Sequence, residues 1–370
     1  MYKRQVDDFT YEVVKLYMGG IQSTAEVAVR NLLKLAYEKF GSHELKGIDY
    51  IDDGTPIALT VTINPETGSA LFDFSETGDE IYGNLNAPTA ILYSAVLYVL
   101  RCLISTDIPL NNGCLRPIEF KTRQGSLVAP SDDAAVVGGN VETTQRIVDV
   151  MLKTFQAAAG SQGTCNNFTF GINDKENGVC FGYYETICGG AGAGPDWDGQ
   201  SVVQCHTTNT RMTDSEIFEK RYPVLLHEYS VRLGSGGNGL HKGGDGVVRD
   251  IEFLYPLEVS CLMERRSLAP YGLHGGEEGA RGVNKWIYKS PSGGYKSKSL
   301  GGKCTVQVSK GDRVIINTPG GGGYGCAESN GQSSSGNKEV SNGVQYPIKR
   351  ATPSRLTGSV GMRDHIQTTN

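Results

Sequence analysis

Three glycine runs constrain this chain more than any other feature. They are GGAGAG at 189–194, GSGGNGLHKGGDG at 234–246 and TPGGGGYG at 318–325. Each lies between strand-like segments, so each is first a question about phosphate binding. A phosphate cradle needs free backbone N–H groups converging on one point, usually with a helix start behind them. A Walker-type loop continues into Lys-Ser/Thr, and a dinucleotide fold continues into a helix. After Gly194 the chain reads Pro195-Asp196-Trp197-Asp198-Gly199, a turn with no Lys-Ser/Thr, and the other two runs fail the same test. The remaining reading is conformational: glycines permit positive φ and close backbone approach where strands turn beside a cleft. The 49 glycines show no Gly-X-Y period, which excludes collagen.

Before these runs the pattern is helical. Phe9, Val13, Tyr17, Ile21, Ala25, Ala28, Leu32 and Leu35 recur at three- and four-residue steps. This predicts an amphipathic helix from Val6 to Phe40, interrupted at Gly19-Gly20 and stopped at Gly41. Alternation through Ile57–Ile63 and Ala70–Phe74 around Asn-Pro-Glu-Thr-Gly predicts a β-hairpin. The apolar stretch 87–105 carries Arg101 and predicts a buried core helix, capped by Asn86 with Pro88 in its first turn. A further helix starts at Asn140, with Ile147, Met151 and Phe155 inward and the pairs Glu142/Arg146 and Asp149/Lys153 on its outer face. From Cys165 to Gly325 short strands alternate with glycine turns.

The fold class is therefore α+β: a helical N-terminal third with a hairpin, then a β-rich, glycine-loop-rich region. The expected division is 1–160 helix-rich, 161–326 β-rich and 327–370 a disordered polar tail. A net charge of −5 gives no reason to expect nucleic acid or anionic membrane as partner. Nine cysteines without a CxxC pair, several in apolar runs (Cys102, Cys180, Cys261), suggest reduced, buried thiols and a cytoplasmic protein. The first residues have no apolar segment of the secretory kind.

Two polar clusters stand out. Residues 204–223 hold His206, Thr207, Thr208, Asn209, Thr210, Arg211 and Asp214. As a strand, this stretch would place His206, Thr208 and Thr210 on one face and Asn209 and Arg211 on the other. Asp214 reads as a helix cap rather than a catalytic acid, and His206 divides between an oriented structural histidine and a site residue. Residues 263–282 hold Glu264, Arg265 and Arg266 at the end of an apolar strand, one arginine pairing inward and its neighbour facing solvent. An inward arginine can clamp a carboxylate or phosphate through its planar fork. No HExxH, no pair of histidines within helical reach and no Gly-x-Ser-x-Gly elbow is present, so no metal ligands are assigned.

Together, GGNVETTQRIVDV, GYYETICGGAGAGPDWDGQS, HTTNTRMTDSEIFEKRYPV, GSGGNGLHKGGDGVVRDIEFL, ERRSLAPYGLHGGEEGARGVN and NTPGGGGYG, in this order, resemble the C-terminal part of the hydantoinase B/oxoprolinase family. The resemblance runs from near Val6 to Gly325. It implies an ATP-driven hydrolysis of a cyclic amide: opening 5-oxo-L-proline to L-glutamate, within glutathione turnover. Phosphorylating the poorly electrophilic lactam oxygen would make it a leaving group. It also implies that ATP and Mg are held by a hydantoinase A-like ATP-binding domain or subunit, not by this chain.

Family segments bearing a divalent metal would lie upstream of Met1, so the chain is expected to be a fragment inactive alone, of an enzyme that is a homo-oligomer when complete. Within this reading the cleft residues are Glu185 and His206, moving protons, and Asn209, Arg211 and Arg265, holding the substrate carboxylate or phosphorylated oxygen. The same motifs also fit N-methylhydantoin hydrolysis or ketone carboxylation. A non-catalytic assembly module is the reading from another class.

Overall fold

The computed structural model describes residues 2–176 and 178–326; the tail expected to be disordered lies outside them. The chain opens with α1 (Tyr2–Phe9) and α2 (Tyr11–Phe40). The break between them falls at Thr10, whose φ is +69°, and not at Gly19-Gly20, through which α2 runs unbroken. Glycine costs about 1 kcal/mol in a helix, too little to end one with a strong pattern on both sides. Gly41 does stop α2, in the left-handed region with its N–H donating to Tyr37 O.

A four-stranded sheet follows, β1 (Glu44–Tyr50), β2 (Pro56–Asn64), β3 (Ser69–Asp73) and β4 (Ile118–Lys121), in the order β1-β2-β3-β4. The predicted hairpin is β2–β3. Asn64 Oδ1 accepts from Glu66 N and Thr67 N, and Gly68 completes the turn at φ +65°. β1 and β4 extend the sheet beyond the expected hairpin, β4 pairing parallel to β3. α3 (Thr89–Leu103) is the buried apolar helix, its Leu92, Val96, Val99 and Leu103 in the core. Asn86 does not cap it. The buried Asn86 amide instead bonds Ile81, Gly83 and Ala135 and ties a loop together.

α4 (Thr143–Thr154) departs most from expectation. Asn140 belongs to a short 3-10 turn before it, and Glu142 immediately precedes the helix. Ile147, Met151 and Phe155 face inward as predicted. However, Glu142, Arg146 and Asp149, placed on an outer face by their spacing, are fully buried. The face is polar, yet the second half of the molecule covers it.

That second half contains β5 (Asn167–Asp174), β6 (Val179–Thr186), α5 (Ser215–Arg221), β7 (Val224–Arg232), β8 (Gly246–Phe253), β9 (Leu257–Leu262), β10 (Val283–Lys289), β11 (Tyr295–Ser299), β12 (Lys303–Val308) and β13 (Arg313–Asn317). The strands form two sheets, β11-β10-β13-β8-β7 and β12-β9-β5-β6. Phe168, Phe170, Phe218, Phe253, Val259 and Val314 share one apolar core. α5 begins as predicted, with Asp214 Oδ1 accepting from Glu216 N and Ile217 N. Cys180, expected to be buried, is exposed on β6. The fold is α+β, with five α-helices and three sheets among the described residues.

The glycine runs pack against one another. A Cβ on Gly190 would lie 1.9 Å from Gly244 O, one on Gly243 2.0 Å from Gly321 O, and one on Gly322 2.0 Å from Tyr271 O. Their amides are used in the same contacts: Gly190 N donates to Pro319 O, Gly244 N to Ala191 O, Gly321 N to Gly244 O and Gly322 N to Gly160 O. The runs make a slab of backbone joined to backbone, which only residues without side chains can form.

Candidate active site

Glu142, just before α4, and Gln145, Arg146 and Asp149 on it follow at three- and four-residue steps, and so share one face. Opposite it arrive Asp49 from β1 and the segment after β9. Arg265 there adopts φ +62°. Its Nη2 donates to Asp49 Oδ2 at 2.8 Å and to Asp149 Oδ2 at 2.7 Å, and its Nη1 to Ala269 O at 2.9 Å. Arg146 Nη2 lies 3.2 Å from Asp49 Oδ2 and also donates to Tyr50 O. Gly163 closes over the group at φ +60°, where a Cβ would meet Arg265 Nε at 2.6 Å and Asp149 Oδ2 at 2.8 Å. Two guanidiniums and two carboxylates thus compensate one another out of water, the condition for burying charge at all.

His206 borders this cluster. It lies on a loop rather than a strand, with φ +39°, so the predicted alternation of faces across 206–211 does not hold. Gln145 Nε2 anchors the loop by donating to His206 O at 2.8 Å and to Cys205 O at 3.0 Å. The imidazole Nδ1 is 3.2 Å from Tyr98 Oη, and Nε2 is 3.8 Å from Asp149 Oδ1. Tyr271 Oη donates to Asp149 O at 2.6 Å, and Ser161 N to Asp149 Oδ1 at 3.3 Å.

Burial sets the proton affinities. It pushes His206 down to about 4, so the imidazole is neutral near pH 7. It raises the Asp149 carboxyl well above its ordinary value against the opposing pull of Arg146. Burial also lifts Glu142 to about 8, against a hydrogen bond from Thr164. Glu142 Oε1 accepts from Cys165 N at 3.0 Å and Asn167 Nδ2 at 2.6 Å. Arg146 Nε and Nη1, Arg265 Nε and His206 Nε2 are buried with no hydrogen-bond partner among the described residues. Buried polar atoms of this kind call for a partner, such as an ordered water or a bound ligand.

Beside the cluster opens a polar cleft of about 350 Å³, lined by Asp52, Arg266, Asn284 and Lys303 among others. Its walls continue the same segments. Asp52 N donates to Glu264 Oε2 at 2.8 Å, Lys303 Nζ sits 2.7 Å from Glu264 Oε1, and Arg266 N donates to Asp52 Oδ2 at 2.7 Å. Glu264 and Arg265 are both buried and Arg266 is half-buried. No arginine of this pair alternates simply between core and solvent, because Leu262 ends β9 and the chain turns there.

The residues singled out by sequence are not all together. His206 and Arg265 meet through Asp149. Asn209 and Arg211 follow His206 on its loop and are exposed. Glu185 is elsewhere: Arg249 Nε donates to its Oε1 at 2.7 Å and Tyr183 Oη to its Oε2 at 2.8 Å. Among the described residues Glu185 shares no hydrogen bond or ion pair with His206. Its carboxylate is committed to a buried pair. Asp49, Glu142, Arg146, Asp149 and Tyr271 complete the cluster without having been predicted in it. The available signal was a helix carrying charge at steps that also fit an inward face.

Among the described residues no group of three or more His, Cys, Asp or Glu could hold a metal ion. The amides of Gly190, Gly243, Gly244, Gly321 and Gly322 are bonded to carbonyls and do not converge free on a phosphate. No helix among the described residues is long and apolar enough to cross a membrane.

The family model described as Hydantoinase B/oxoprolinase matches residues 2–327. The chain belongs to the hydantoinase B/oxoprolinase family. It is 52% identical to 5-oxoprolinase 1 of Arabidopsis thaliana over 87% of its own length and 26% of that protein's. It is 49% identical to the 5-oxoprolinase of Saccharomyces cerevisiae, over 86% of this chain and 25% of that one. The family member thus spans about a quarter of the length of these relatives. The ATP-dependent caprolactamase of Pseudomonas jessenii shares its fold at 21% identity and a TM-score of 0.74, over 88% of this chain and 58% of that one.

Proposed function

We propose that this chain is the C-terminal portion of an ATP-dependent 5-oxoprolinase that opens 5-oxo-L-proline to L-glutamate. The observation that carries the reading is the 52% identity to a 5-oxoprolinase across 87% of the chain. In this proposal ATP and Mg are held by a hydantoinase A-like domain or subunit, a divalent metal belongs to polypeptide outside this chain, and the enzyme works in the cytoplasm. The chain alone is inactive. Overall, ATP and two waters are consumed and ADP and phosphate are released: one water's oxygen bonds to the ring carbonyl carbon, the C–N bond breaks, the ring nitrogen gains a proton, and the second water releases phosphate from the phosphorylated oxygen.

His206 is the proton-handling residue of this portion. A neutral imidazole can accept a proton at neutral pH, and Asp149 lies 3.8 Å behind it to stabilise the charge that develops. Asn209 and Arg211, exposed on the same loop, hold the substrate carboxylate or phosphorylated oxygen in this proposal. Arg265 acts as a positioning residue, holding Asp149 rather than touching substrate. Glu185 is assigned to the fold.

The test is glutamate release from 5-oxoproline and ATP by the complete enzyme, assembled with its ATP-binding part. His206→Asn should lower kcat by roughly 10²-fold or more, the usual contribution of a positioned acid–base group. Unchanged turnover would make His206 structural. Glutamate formed by the purified 370-residue chain alone would overturn the proposal as a whole.

A further inference from the structure

The start of the molecule shows a surface that the site does not explain. In α2 the buried residues begin only at Ala25, followed by Val29, Leu32, Leu33 and Ala36. The preceding turns, with α1, expose Phe9 (62%), Leu16 (74%) and Tyr17 (68%), and also Tyr11, Val13, Met18 and Ile21. Between the two helices runs an apolar groove of about 410 Å³ lined by Phe9, Val13, Val14, Tyr17, Met18 and Ile21. A contiguous apolar patch of this kind on a water-facing surface marks an interaction site.

The glycine pair inside α2 supports this. Val13, Leu16, Tyr17 and Gly20 follow at three- and four-residue steps, so Gly20 sits within the apolar stripe. A Cβ at Gly19 or Gly20 would meet nothing within 4 Å, so neither glycine serves a close approach among the described residues. Two helix-weakening residues at an unoccupied spot make physical sense where another backbone comes close.

We infer that this face docks further polypeptide of the same enzyme, the part that lies outside the matched region in the longer relatives. Two facts favour that occupant over a second copy of this chain. The family model covers these helices, its match starting at residue 2, so they belong to the shared domain. The relatives carry about three further quarters of polypeptide beyond what this chain matches. The groove then receives an apolar segment of that polypeptide, with Tyr17 lining it, Leu16 exposed beside it and Gly20 allowing close contact. The inference depends on family and length, and holds whichever cyclic amide is the substrate.

The experiment compares side-chain oxidation by hydroxyl radicals at Tyr17 and Met18 in two settings. One is the 370-residue chain alone. The other is the Saccharomyces cerevisiae 5-oxoprolinase in which the matched region is replaced by residues 1–327 of this chain. Expected is a drop of about fivefold or more in the replaced enzyme, as for residues moved from a surface into an interface. Equal oxidation in the two settings overturns the inference. In parallel, the chain is mixed with the yeast enzyme lacking its matched region, and association is followed by sedimentation. Leu16→Glu/Tyr17→Glu, on exposed positions that leave the fold intact by circular dichroism, should weaken association at least about tenfold. Association unaffected by this pair overturns the inference. So does a dimer of the isolated chain that the pair abolishes, since the occupant is then a second copy.

Discussion

Two seams organise this molecule, and they are built from opposite materials. One is the glycine slab, where 189–194, 234–246 and 318–325 meet largely backbone to backbone, with a few side chains such as Asp245 and Ser235 accepting from its amides. The other is the face of α4, where side chains do everything: Arg265 bridges Asp49 and Asp149, and Glu142 reaches Cys165 N and Asn167. The slab is stereotyped and satisfies its own hydrogen bonds. The α4 seam leaves donors unpaired on Arg146, Arg265 and His206. The first kind of seam is tolerant of charge and intolerant of volume. The second is the reverse, and this is why the candidate chemistry lies there.

The largest expected effect breaks the ionic seam. Arg265→Met would leave Asp49 and Asp149 buried with half their compensation gone, and removing one partner of a buried pair typically costs about 3–5 kcal/mol. Urea unfolding of the 370-residue chain should show a midpoint shifted down accordingly. A midpoint within error of the parent would mean that the cluster is hydrated and not the seam described.

The pH dependence of stability tests the α4 seam next, because burial shifts the proton affinities of His206 and Glu142 there in opposite directions. His206 is held at about 4 in the fold against about 6.5 when unfolded. The fold's preference for neutral imidazole is fully present above pH 6.5 and is lost as pH falls from there toward 4, where the unfolded chain binds the extra proton. The total is of order 3 kcal/mol. Glu142, lifted to about 8, slopes the other way: its contribution is full below about pH 4.5 and is lost as pH rises toward 8. His206→Asn should flatten the acid limb and Glu142→Gln the neutral one. Unfolding midpoints measured from pH 4 to 8 on both variants check the two signs independently.

Volume tests the slab. Gly190→Ala puts a methyl 1.9 Å from Gly244 O and 2.5 Å from Gly321 N, both backbone atoms that no rotamer can move. Overpacking of this sort costs about 1–3 kcal/mol, and more where backbone must shift. The same substitution should leave the pH slopes unaltered, since no ionisable group is touched.

These seams were unequally legible in the sequence, for a physical reason. Periodicity reports an element's own asymmetry, and it located α2, the β2–β3 hairpin, the inner face of α4 and the Asp214 cap. It cannot report what later packs on the other face. Glu142, Arg146 and Asp149 have the spacing of a solvated stripe, and only β1 and the turn after β9 make them a core. The glycine runs were visible at once, but their meaning depended on finding one another across more than a hundred residues. His206 and Arg265 were picked out as members of two dense polar clusters. Glu185 was named with them as a cleft residue and is satisfied by Arg249. Nothing local distinguishes a carboxylate whose partner is 64 residues away from one still waiting for a substrate.

The smallest effect runs in the opposite direction and sharpens the contrast. Gly20→Ala adds a methyl into open space in the middle of α2. By helix propensity alone the isolated chain should gain up to about 1 kcal/mol, whereas every glycine of the slab should lose on gaining the same atom. Chemically identical substitutions with opposite signs show that the slab's glycines are fixed by contacts already made within the chain. Gly20 is different, since among the described residues it has only a cost. If Gly20→Ala stabilises the isolated chain by thermal melting yet weakens the complete enzyme, the reason for that glycine lies in a neighbour of α2. If it destabilises the isolated chain, α2 bends or packs at Gly20 within the chain itself, and the contrast with the slab fails.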